Sequence, residues 1–213
     1  MMGQSGQREC STWVTTAAIE YRYRAGKSQT GVSAVEPFGR SLLVLGGARS
    51  GKSRYAQDAA EASLAELVFI ATGQAFDDEM TSRIARHQSD RDARWRTIEE
   101  PIDLAGAIAS EDADGKTLLI DCLTLWASNL LLTDENADVR INELVSSIGQ
   151  ARSRLIFVAN EVGLGIVPDN ALARRFRDLA GTINQRIAAE CTGVVFVISG
   201  IPMWVKRQAA TPN

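Results

Sequence analysis

Eight consecutive residues, Gly46-Gly47-Ala48-Arg49-Ser50-Gly51-Lys52-Ser53, fit the pattern G-x-x-x-x-G-K-[ST]. Each part has a phosphate-handling reason. The glycines let successive backbone N–H groups turn inward with no Cβ in the way. Together with the start of a following helix, those N–H groups make a cradle for an anion. Lys52 can reach the terminal phosphates, and the Ser53 hydroxyl can ligate Mg²⁺. A second signal is Leu118-Leu119-Ile120-Asp121, an apolar run ending in an acid. Beside a phosphate loop, such a carboxylate holds Mg²⁺ directly or through water. The working ligand is a nucleoside triphosphate, with Ser53 and Asp121 as the metal-side pair.

The third candidate is the chain's lone histidine, His87. Met80, Ile84 and His87 fall on one helical face, and Asp77, Asp78 and Glu79 suit the start of that helix. His87 then reads either as a packed, hydrogen-bonded histidine or as a nucleophile. A neutral imidazole, with an ordinary pKa of about 6.5, can attack phosphorus and form a covalent intermediate. Arg83, Arg86, Arg91 and Arg94 would neutralise phosphate charge and help keep the imidazole neutral. Spacing leaves both readings open.

These residues need a scaffold. The apolar run at 42–45 precedes the phosphate loop, and good helix formers follow it, so the context is strand, turn, helix. Further apolar runs at 67–71, 117–121, 155–159 and 194–199 predict strands. Helical patterns at 52–63, 77–90, 102–110, 123–132, 139–152 and 169–191 predict helices. This alternation implies an α/β domain, a mainly parallel sheet with helices on both faces. In the last helix Leu172, Phe176, Leu179, Ile183 and Ile187 keep to one face, and Asp169 is the expected N-cap. Arg174, Arg175 and Arg177 are expected to form its solvated side.

The chain's 213 residues suit one such domain with a tail, and a hydrophobic content of 45% supports a sizeable core. The net charge of −3, with both signs interspersed, argues against broad binding to nucleic acid or an anionic membrane. Cys10, Cys122 and Cys191 are odd in number and lack metal-ligand spacing. The expectation is a reduced, cytoplasmic protein whose cysteines are small buried hydrophobes. No apolar run approaches the ~18 residues of a membrane span. Residues 1–38 differ in character and are expected to be a disordered extension. Within them Gly26-Lys27-Ser28 mimics the end of a phosphate loop but lacks the upstream Gly and strand. The nucleotide-binding domain is expected over 39–207, with a tail at 208–213.

Taken together, the motifs resemble one family. The run from Gly46 to Arg54, Ile70-Ala71-Thr72 and Asp77-Asp78-Glu79-Met80 look like the bifunctional adenosylcobinamide kinase/adenosylcobinamide-phosphate guanylyltransferases. So do Arg83-Ile84 with His87, Arg91, Trp95, Arg96, Thr97 and Glu99. Asn160-Glu161-Val162-Gly163, Gly165-Ile166-Val167-Pro168, Arg177-Asp178, Gly181, Asn184-Gln185-Arg186 and Ser199-Gly200 extend the likeness over about 41–206. The resemblance implies a RecA-like P-loop α/β fold and a cytoplasmic homotrimer. It also implies two reactions: phosphorylation of adenosylcobinamide by ATP or GTP, then transfer of GMP from GTP to adenosylcobinamide phosphate. The family's guanylyl-histidine maps onto His87. Its nucleotide contacts map onto Gly46, Gly47, Ala48, Arg49, Ser50, Gly51, Lys52 and Ser53, then Ile70, Ala71 and Thr72. They continue at Gln88, Ser89, Asp90, Arg91, Glu99 and Asp121. Lys52 joins His87 as a catalytic residue. Asp92 follows Arg91 where the family commonly has Pro, which bears on local loop shape.

Two other classes fit parts of the pattern. A P-loop small-molecule kinase would leave His87 structural. A GTPase-type switch would need Asn-Lys-x-Asp to read guanine, and Asn160 is followed by Glu161.

Overall fold

The computed structural model describes residues 38–63, 65–73, 93–133 and 135–207. All of them belong to one compact unit. Among the described residues, seven strands and five helices follow in chain order. They are β1 Ser41–Gly46, α1 Lys52–Glu61, β2 Glu66–Ala71, β3 Trp95–Glu99, α2 Leu104–Glu111 and β4 Lys116–Asp121. After these come α3 Leu123–Leu132, α4 Ala137–Gln150, β5 Arg154–Asn160, α5 Ala171–Glu190, β6 Gly193–Ile198 and β7 Ile201–Arg207.

The strands form one sheet in the order β3-β2-β4-β5-β1-β6-β7. Every pairing is parallel except β6 with β7. Helices cover both faces, so the inner strands are apolar at successive positions rather than alternating. In β1, Leu42, Leu43 and Val44 are all fully buried. On one face Leu42, Val44, Leu119, Ile156 and Val158 pack with Ala56, Ala59 and Ala60 of α1. On the other, Leu43, Leu118, Ile120, Leu155 and Phe157 pack with Trp126, Ile141, Leu144, Ile183 and Ile187 of α3, α4 and α5. This is the parallel α/β architecture expected from the sequence, in its RecA-like P-loop form.

The five predicted strands are all present. Two further strands carry no such sequence signal, and both lie at sheet edges. In β3 (Trp-Arg-Thr-Ile-Glu) only Trp95 and Ile98 are even half-buried, so its apolar run is too thin to read. In β7 exposed and half-buried residues alternate, the pattern of a strand with one open face. Ser199 and Gly200 join β6 to β7 with φ of 51° and 81°. Two consecutive positive φ values make the type I′ turn that suits an antiparallel hairpin.

The predicted helix over 77–90 lies outside the described residues. The expected N-cap of α5 is corrected from Asp169 to Asn170. The Asn170 side chain accepts from the N–H groups of Leu172 and Ala173, at 2.8 and 3.2 Å. The carbonyl of Asp169 instead accepts from Arg174 Nη1 at 2.6 Å. Arg174 is thus tied to its own helix start rather than freely solvated. The apolar stripe of α5 meets the core only from Phe176 onward, since Leu172 in the first turn remains 49% exposed. Cys122 and Cys191 are free and buried, as expected of small hydrophobes.

Candidate nucleotide-binding site

In a parallel sheet all strands end at one edge, and there the loops that bind ligands gather. β1 ends at Gly46 and the chain turns through Gly47–Ser50 into α1. Only glycine fits at Gly46: a Cβ there would lie 2.5 Å from Ser50 Oγ and 2.6 Å from the Val197 carbonyl oxygen. Gly51 is the N-cap of α1, with φ of 95°. That left-handed geometry costs glycine nothing and other residues about 1 kcal/mol or more. No side chain caps α1, and no acid sits in its first turn. The orphan N–H groups of that turn, with the positive end of the helix dipole, form an anion site.

The loop is braced from outside. The Gly200 N–H donates to the Ser50 carbonyl at 2.8 Å, and a Cβ on Gly51 would come within 3.3 Å of Gly200 Cα. The β6–β7 turn therefore rests directly on the phosphate loop. Lys52 curls back, its Nζ 3.4 Å from the Gly47 carbonyl. Ser53 follows it in the first turn of α1, half-buried.

Asp121 ends β4, and β5 lies between β4 and β1. Alternation along the strands puts Asp121 on the same side as Leu119, the face that α1 covers. Cys122 registers both charged candidates. Burial pushes its thiol up to about 11, the Asp121 charge adds to the rise, and the Lys52 charge opposes it. Lys52 and Asp121 thus act on one buried thiol, and that thiol stays protonated at neutral pH.

Thr72 is fully buried. Its Oγ1 donates to the Cys122 carbonyl and accepts from the Cys122 N–H, both at 2.8 Å. The Asn129 amide donates to the carbonyls of Thr72 and Pro101, at 2.9 and 3.0 Å. This network stitches the ends of β2 and β4 together beside Asp121. Ile70 is buried in the sheet, Ala71 ends β2 half-buried, and Glu99 ends β3 exposed. With strands about 4.8 Å apart, Ala71 lies three strands from Gly46, about 14 Å, and Glu99 four, about 19 Å.

The structure thus brings Gly46 to Ser53 and Asp121 to one edge. It sets Ile70, Ala71, Thr72 and Glu99 farther along that edge. His87, Gln88, Ser89, Asp90 and Arg91 lie outside the described residues, on the connection from β2 to β3.

The site also holds residues that motif reading did not single out as ligands. Asn160 ends β5 opposite Gly46. Its N–H donates to Thr124 Oγ1 at 2.7 Å, and its carbonyl accepts from Asn184 Nδ2 at 3.2 Å. In sequence Asn160 is only an Asn closing an otherwise apolar strand, which does not by itself mark a site.

Among the described residues no group of three or more His, Cys, Asp or Glu could cage a metal. One hydroxyl and one carboxylate suit a cation that arrives with phosphate oxygens and keeps several waters, as Mg²⁺ does. No helix among the described residues is long and apolar enough to cross a membrane.

The comparisons agree with this geometry. Residues 42–205 match the family model described as cobinamide kinase / cobinamide phosphate guanyltransferase. The bifunctional adenosylcobalamin biosynthesis protein CobP of Pseudomonas aeruginosa is 49% identical over 168 residues, covering 78% of this chain and 97% of that protein. The bifunctional protein CobU of Salmonella typhimurium is 41% identical over 180 residues, covering 78% of this chain and 99% of that one. Its namesake from Escherichia coli is 38% identical with the same coverage. A solved structure from Pyrococcus horikoshii OT3 superposes with a TM-score of 0.50 at 9% identity, over 81% of this chain and 89% of that one, a likeness of fold alone. With a family model spanning most of its length and relatives this similar, the chain belongs to the cobinamide kinase / cobinamide phosphate guanyltransferase family of enzymes.

Proposed function

We propose that this enzyme carries out two successive transfers on the nucleotide-loop side chain of a corrinoid. In the first, the aminopropanol hydroxyl of adenosylcobinamide attacks the γ-phosphorus of ATP or GTP. The bond from that phosphorus to the β-γ bridging oxygen breaks, the nucleoside diphosphate leaves, and the hydroxyl proton is released. In the second, the His87 imidazole attacks the α-phosphorus of GTP and pyrophosphate leaves. A phosphate oxygen of adenosylcobinamide phosphate then attacks the same phosphorus. The P–N bond breaks, giving adenosylcobinamide-GDP and free imidazole.

The observation that carries this reading is the convergence of the uncapped start of α1, Lys52, Ser53 and Asp121 at one strand edge. In both steps negative charge grows on outgoing phosphate oxygens. The loop N–H groups and the Lys52 ammonium meet it without reorganising. Ser53 and Asp121 would hold Mg²⁺, which when bound supplies further charge neutralisation. The side chains of Gln88, Ser89, Asp90, Arg91 and Glu99 complete the nucleotide contacts in this proposal, with half-buried Ala71 at the end of β2; Ile70 and Thr72, both fully buried, support that strand end from within. The buried Cys122 thiol is no rival nucleophile, because only a thiolate attacks readily.

The test is product analysis. Adenosylcobinamide with ATP or GTP should yield the phosphate, and added GTP should convert it to the GDP derivative with stoichiometric pyrophosphate. Phosphate product with no GDP derivative would reduce the protein to a small-molecule kinase. We further propose a cytoplasmic assembly of three copies. Light scattering should give three times the 23.1 kDa chain mass, and a monomer mass would contradict it.

A further inference from the structure

Two side-chain oxygens among the described residues are buried without a hydrogen-bond partner: Ser50 Oγ and Asn160 Oδ1. Both lie at Gly46. Ser50 Oγ fills the space where a Gly46 side chain would be, and Asn160 pairs with Gly46 across the β1–β5 register. An unpaired buried acceptor costs free energy, so a fold keeps one where another molecule completes the bond.

The backbone of Asn160 is fixed by Thr124 and Asn184 on its two polar groups. Asn160 lies on the face of β5 that carries Ile156 and Val158, the face covered by α1. On the neighbouring β4, Asp121 pairs with Val158, one side-chain row below Asn160 on that same face. Asn160 therefore sits between the P-loop strand and the strand that carries Asp121.

We propose that Asn160 is a positioning residue of the nucleotide site: its Oδ1 accepts a hydrogen bond from a water on the divalent cation held by Ser53 and Asp121. This inference rests on the nucleotide-site reading above. The chemistry selects the partner. A carboxamide oxygen only accepts, and so do phosphate oxygens, whereas water on a cation donates. Mg²⁺ sheds its waters reluctantly, so such donors accompany it into the site. Outer partners of this kind typically carry 10- to 100-fold of metal affinity.

The test compares wild-type protein with Asn160→Leu, which keeps the volume and removes the acceptor. Calorimetry measures GTP binding in EDTA, and paramagnetic resonance measures Mn²⁺ binding in saturating GTP. The expected result is unchanged GTP affinity in EDTA, a melting temperature no lower than wild type without ligand, and Mn²⁺ affinity reduced about tenfold or more. Wild-type Mn²⁺ affinity in the folded variant overturns the inference. That is the result expected if a trapped water merely bridges Ser50 and Asn160. Should Asn160→Leu fail to fold, Asn160→Ala carries the same comparison. A wild-type protein that binds no GTP overturns the site reading and this inference together. Normal GTP binding with an unmoved Mn²⁺ affinity overturns the inference alone.

Discussion

Lys52 is the residue on which both proposed reactions depend. It is the cation at the start of α1, and its Nζ lies 3.4 Å from the Gly47 carbonyl. Such a loose contact leaves the ammonium ready to move onto phosphate. Lys52→Ala should lower both phosphoryl and guanylyl transfer by about 10²-fold or more, the usual cost of losing one charge-stabilising donor. Steady-state assays of each half-reaction check this, and normal guanylyl transfer in the variant would contradict a shared site. Residues of this kind are legible in sequence because their chemistry is tied to contiguous spacing. Gly46 to Ser53 and Asp121 need only a strand before or beneath them. Asn160 is not legible as a ligand, because its meaning depends on which strand lies between β1 and β4. Nor does spacing show that the Thr72 hydroxyl is spent on the Cys122 backbone.

At the scale of elements, the β6–β7 hairpin is part of the site although it carries no motif for phosphate. Its tip donates Gly200 N–H to the Ser50 carbonyl, and Gly200 has φ of 81°. Gly200→Val puts a β-branched side chain in a left-handed conformation, at a cost of about 1–3 kcal/mol. The expected outcome is a several-fold weaker GTP affinity by calorimetry together with a lower melting temperature. Unaltered GTP affinity would show that the hairpin does not brace the loop. Asp112 offers a contrast remote from the site. Burial pushes its carboxyl up, but Ser153 Oγ at 2.6 Å, the N–H groups of Ser153 and Arg152, and the Arg152 side chain outweigh that and hold it below the ordinary range. A lowered carboxylate pKa contributes stability above its unfolded value of about 3.9, and that contribution is lost as pH falls through the folded value. Asp112→Ala should cost about 2 kcal/mol at pH 7 in denaturant melts. The gap from wild type should close as the solution is acidified below about pH 4, and at pH 7 the variant should bind GTP as wild type does. A gap that persists in acid would mean the carboxylate is not the source. Elements are legible where burial on both faces makes a strand continuously apolar, as in β1, β2, β4, β5 and β6. The edges β3 and β7 bury too little to leave that signature.

For the whole molecule, the strand order sets which candidate site residues share an edge. Placing β5 between β1 and β4 spreads the phosphate loop, Asn160 and Asp121 along one edge, with Thr72 and Glu99 farther on. The sequence pattern predicts a parallel sheet, but it cannot order the strands, since pairing is a long-range property of the folded chain. The family match spans 42–205, a range that includes His87 on the connection leaving β2. We propose that the GMP group of GTP held at the phosphate loop passes to the His87 imidazole as pyrophosphate leaves. The most direct measurement is incubation with GTP radiolabelled at the α-phosphorus. Wild-type protein should take up label that is stable to base and labile to acid, as a phosphoramidate is, and His87→Ala should take up none. Label that persists in His87→Ala, or a wild-type protein that makes adenosylcobinamide-GDP without ever carrying label, would contradict the account.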